Sequence, residues 1–87
     1  MCLENLKNFK KQLELSGASA AQLAPIELAI ELAMTYGDPA SLGKRQKACF
    51  QEDFLEFCRE IFVSLSAEEC AIARESKMRA ERLLCLI

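Results

Sequence analysis

Eighty-seven residues, 52% apolar and 28% charged, are enough for one small folded domain and exclude a disordered chain. Eleven basic against thirteen acidic residues give a net charge of −2, without the basic excess that a whole-domain nucleic-acid binder uses to displace counterions. The chain has no His, which removes the commonest general base and the commonest zinc ligand together.

Three Gly and two Pro are too little turn material for a many-stranded β fold. No apolar run approaches the ~18 residues of a membrane span. Residues 1–15 also lack the basic start, apolar middle and small-residue cleavage site of a signal peptide. No membrane association and a cytoplasmic location are therefore expected.

Leu3, Leu6, Phe9 and Leu13 recur at spacings of 3, 3 and 4, with Lys7, Lys10, Lys11 and Glu14 between them. This predicts an amphipathic helix over 3–15, ended by Gly17 in a left-handed cap. Ser19-Ala-Ala-Gln22 is a candidate capping box, but Pro25 would sit deep inside the helix it opens. The expectation is a short turn over 20–24 and a firm helix over 25–36, a single kinked helix being the alternative.

From Leu23 to Tyr36 the polar side chains are Glu27, Glu31 and Thr35, apart from the tyrosine hydroxyl. Spaced by four, they form one narrow stripe. A helix apolar nearly all round must be covered nearly all round, so it is either the centre of the bundle or half of a dimer interface. Ile26, Ile30 and Met34 are the candidate contact residues.

Gly37-Asp38-Pro39 punctuates the chain, with Asp38 able to cap and Pro39 suited to a first helical position. A short helix to about Cys49 would follow, with Lys44, Arg45 and Lys47 at its negative end and Gln51-Glu52-Asp53 opening the next helix. That polarity switch predicts a break between 48 and 51, with one helix over 39–64 as the alternative. Phe50, Phe54, Phe57, Cys58, Ile61, Phe62 and Leu65 then share a face, expected to form most of the core. Ser66-Ala-Glu-Glu69 is a capping box for a last helix running from Ala67 to near the terminus. Glu75 and Arg79 there stand at ion-pair spacing. The chain closes on Leu83, Leu84, Cys85, Leu86 and Ile87, apolar on every face. These five must dock in the bundle, meet another subunit or bind a partner.

The fold expected is all-α, a single-domain bundle of four or five helices. Cysteines at 2, 49, 58, 70 and 85 are odd in number and contain no CxxC spacing, which favours reduced thiols in a core over a disulfide scaffold. With no glycine-rich phosphate loop, no catalytic residue, metal or cofactor is expected. The leading functional reading is a non-catalytic protein-interaction module, an adaptor, chaperone-like or inhibitor protein, forming a homodimer. Its contact residues would be Leu83, Leu84, Leu86, Ile87, Ile26, Ile30 and Met34. A nucleic-acid-associated regulator using Lys44, Arg45 and Lys47 is the first alternative, disfavoured by the acids that follow. A cysteine-based redox or metal protein is the second.

Overall fold

The computed structural model describes residues 2–84, with Cys2 as backbone only. Four α-helices follow in order: α1 (Cys2–Leu15), α2 (Ala20–Tyr36), α3 (Lys44–Val63) and α4 (Ala67–Leu83), with a 3₁₀ turn at Pro39–Ser41 between α2 and α3. The expected all-α bundle is what forms, with extents of 36 × 26 × 20 Å.

Side-chain caps open α2, α4 and the 3₁₀ turn. Ser19 accepts from the backbone N–H of Gln22 to open α2. Ser66 accepts from Glu69 N–H while the Glu69 carboxylate accepts from Ser66 N–H, the complete reciprocal box at the head of α4. Asp38 accepts from Ala40 N–H and caps the 3₁₀ turn, in which Pro39 stands first. Gly37 has φ of 104°, a conformation that a Cβ would strain, and its N–H closes back on the Ala33 carbonyl.

Two boundaries differ from expectation. α2 begins at Ala20 and continues through Pro25, rather than becoming firm at 25. Proline there lacks the N–H that would reach the Ala21 carbonyl. The local loss is offset by packing, since Ala21, Pro25 and Ile26 are all buried. The second difference is the break, which falls at Leu42–Gly43 and not between 48 and 51; α3 then runs unbroken for 20 residues. A charge switch near a helix end is worth only about 0.3–1 kcal/mol. A continuous helix that buries both Phe50 and Phe54 gains roughly 1.5–3 kcal/mol from each ring.

α2 is the central helix and packs against all three others, most extensively against α4. Small side chains make that approach possible: Ala29 and Ala33 on α2, and Ala73, Ser76 and Ala80 on α4, are buried. Leu6, Ile26, Leu32, Phe50, Phe54 and Leu84 supply the bulk of the core. Contacts between Cys70 and Phe62, and a shared lining by Phe62, Cys58 and Lys77, run α4 antiparallel to α3. That contact is slight compared with α4 on α2.

The aromatic face of α3 therefore divides. Phe50, Phe54 and Cys58 are fully buried, whereas Ile61, Phe62 and Leu65 are half-buried and Phe57 is 41% exposed. The face was expected to form most of the core, and only its first half is buried there. α4 leaves α3 to lie on α2, so the distal half of α3 is thinly covered. Tyr36 joins α2 to the covered half, with its ring centroid 5.6 Å from that of Phe50 and its hydroxyl donating to the Asp53 carboxylate.

Candidate functional site

Of the expected contact residues, Ile26 and Leu84 are fully buried within the chain's own core. They hold the monomer together and present no surface, because α2 is enclosed by its neighbours and the last turn of α4 folds back against it. Ile30 and Leu83 are half-buried and pack on the same core. Met34 is exposed, at 69%. Leu86 and Ile87 lie outside the described residues. The Glu27, Glu31 and Thr35 stripe is exposed as expected, and the Thr35 hydroxyl donates to the Glu31 carbonyl.

The shifted break reverses the electrostatic setting of Lys44, Arg45 and Lys47. They occupy the first turn of α3, not the last turn of a preceding helix, and that first turn holds no acid. Its N-cap, Gly43, supplies no side-chain acceptor. Cations there meet the positive end of the dipole and are repelled. Lys44→Glu is therefore expected to stabilise the fold by about 0.5 kcal/mol, read as a rise in the urea midpoint. A fall would place Lys44 at a negative helix end instead.

The charged face of α4 also resolves differently. The ion pair present among the described residues is Lys77–Glu81 at 3.0 Å, not Glu75 with Arg79. Arg79 instead lies over the Phe9 ring, 5.3 Å from its centroid. Two open grooves flank this contact. One, of about 400 Å³, includes Gln22, Glu75, Ser76 and Arg82; the other, of about 290 Å³, includes Asn5, Asn8 and Gln12.

The thiols occupy different environments. Cys49 is exposed, Cys58 is buried, and Cys70 is half-buried with its Sγ donating to the Phe62 carbonyl. No three His, Cys, Asp or Glu side chains converge as a metal-binding group among the described residues. Burial pushes the Cys58 thiol up to about 11, the nearby Lys77 partly opposing the shift and Glu81 adding to it. A thiol raised in the fold contributes stability below its ordinary value and loses it as pH climbs to the folded one. Stability is thus expected to fall between about pH 9 and 11, and Cys58→Ala should flatten that slope in urea titrations. Tyr36 is raised by its hydrogen bond to Asp53, then by burial, and it adds to the alkaline loss. An unchanged slope in the Cys58 variant would contradict the burial of its thiol.

A surface that was not singled out from sequence emerges on the distal half of α3. Phe57, Ile61 and Leu65 are spaced by four and form one row along the helix and into its terminal turn, partly open to solvent. One residue before Phe57 and Ile61 stand Glu56 and Glu60, with Glu52 one turn earlier, all three exposed, and Ser64 takes the matching place before Leu65. Val63, 86% exposed, stands at the end of the helix. The spacing was visible in the sequence, but which rows α4 would leave open was not. Among the described residues no helix is long and apolar enough to cross a membrane. Searches against protein-family models, curated proteins and solved structures find no match to this chain.

Proposed function

We propose that the chain is a non-catalytic protein-interaction module whose contact surface is the distal half of α3. One observation supports this most strongly: three large apolar residues, Phe57, Ile61 and Leu65, form one row that is partly open to solvent. Single exposed apolar residues are ordinary, but contiguous ones on a small domain mark contact sites. Three apolar side chains in one row at one end of one helix meet that description better than the scattered Leu15, Met34, Val63, Ile72 and Met78. The surface is thus placed differently from the one expected on α2 and the C-terminal end.

The test is affinity capture from a cell extract by the wild-type chain and by a Phe57→Gln, Val63→Asp variant. Both sites are open, so the far-ultraviolet circular dichroism should be unchanged. A protein retained by the wild type and lost by the variant supports the reading. Identical capture by both would remove it.

A homodimer is the second reading, favoured by the exposure of the large apolar Met34 on α2. Light scattering across a concentration series, with reductant present, should then give twice 9.7 kDa, and Met34→Asp should restore the monomer mass. A concentration-independent monomer would end that reading and leave the first untouched.

A further inference from the structure

We infer that the occupant of the α3 surface is a cationic amphipathic helix of another protein, an inference that rests on the interaction-module reading above. Along α3, Phe57 and Ile61 are flanked on one side by the exposed Glu56 and Glu60, with the exposed Glu52 one turn before them. The segment 52–69 holds six acids, Glu52, Asp53, Glu56, Glu60, Glu68 and Glu69, against the single base Arg59. Two of the six are engaged within the chain: Asp53 accepts from Tyr36, and Glu69 closes the α4 cap. Glu52, Glu56 and Glu60 take part in none of the ion pairs formed among the described residues. Arg59 and Lys77 line a groove with Leu55 and Phe62, Lys77 being held by Glu81, so the unpaired negative charge is concentrated on the Glu56 and Glu60 side of the apolar row.

Such a surface selects its partner by both components. An apolar row with a period of four accepts the apolar face of another helix, whose residues recur at three and four. The acidic border then favours Lys and Arg flanking that face and speeds the encounter. A second copy of this chain fits less well. An antiparallel two-fold pairing through the row would set the two acidic borders on the same side, against each other, and like charges placed so repel. The basic residues Lys44, Arg45 and Lys47 lie at the other end of α3, more than four residues before Glu52.

The experiment titrates the full chain with synthetic helices of about five turns. One carries a Leu face with Lys flanks, a second a Leu face with Glu flanks, and a third has Ser in place of Leu with Lys flanks. Backbone amide shifts map the site and fluorescence anisotropy gives the affinity. The Leu/Lys helix should bind with shifts confined to the distal half of α3. Glu56→Lys with Glu60→Lys should weaken it by roughly tenfold and admit the Leu/Glu helix. Glu27→Lys with Glu31→Lys, an equal charge change on the exposed stripe of α2, should leave affinity within about twofold after screening at ~0.15 M salt.

Equal binding of the Leu/Glu and Leu/Lys helices would overturn the cationic partner while leaving the contact surface in place. Equal binding of the Ser/Lys and Leu/Lys helices would show charge acting alone and overturn the docking row. A wild-type dimer dissolved by Phe57→Gln and displaced by the peptide would identify the occupant as a second copy. Failure of every peptide, with capture by the wild type and the Phe57→Gln, Val63→Asp variant also identical, would remove the interaction-module reading itself.

Discussion

Leu84→Asp is expected to unfold the chain. Leu84 is fully buried, and its backbone N–H closes on the Ala80 carbonyl at the end of α4. Its side chain joins the cluster made by Leu6, Ile26, Phe50, Phe54 and Ala80. Removing the leucine alone leaves a cavity costing about 2–5 kcal/mol. A carboxylate in its place adds the desolvation of an unpaired charge, so the total should exceed about 4–5 kcal/mol. Domains of this size hold a total near the lower end of the 5–15 kcal/mol range. Circular dichroism should show a large loss of helix at neutral pH. A folded variant that had lost only self-association would instead make Leu84 a contact residue.

Phe54→Ala is expected to cost about 3–5 kcal/mol and lower the thermal midpoint by more than about 15 °C. Phe54 has no exposed surface and shares the core with Phe50 and Cys58 from its own helix. The cavity cannot close easily, because the buried alanines of α2 and α4 carry no flexible side chain to fill it. The contrast is Phe57→Ala, three residues away on the same helix and 41% exposed, which should cost less than about half as much. Equal losses at the two positions would contradict the division of α3 into a covered and an open half.

That division marks the limit of what the residues reveal by themselves. Stripes and caps are local, and they were legible: Leu6 with Leu3, Phe9 and Leu13 on α1, the Ser66–Glu69 box, and the Glu27, Glu31 and Thr35 stripe all occur as the spacing implies. Pro25 was misleading because the rule against interior proline is also local, whereas the helix around it is held by burial of Ala21 and Ile26. The break was misplaced for a related reason. A dipole preference at 48–51 is weak beside the packing of two rings, and Gly43 at the head of α3 caps the helix about two turns earlier.

The site was less legible than the fold. Phe54, Phe57, Ile61 and Leu65 obey the same periodicity, and nothing in their identity says which is covered. The answer depends on the path of α4, which the small residues Ala73, Ser76 and Ala80 direct onto α2. Leu84 and Ile26 were expected at a contact surface for the converse reason: an apolar run has to be covered, but only the fold shows that the same chain covers it. The Tyr36–Asp53 hydrogen bond spans 17 positions and has no local signature at all.

The most direct test of an interaction surface on distal α3 is site-specific photo-cross-linking in cells. A photoreactive phenylalanine replaces Phe57 in one variant and Glu27, on the exposed stripe of α2, in another. Both positions are open, so neither substitution should disturb the core. A discrete cross-linked product from position 57 and none from position 27 is the predicted result. Products from position 27 alone, or none from either, would contradict a contact surface on the distal half of α3.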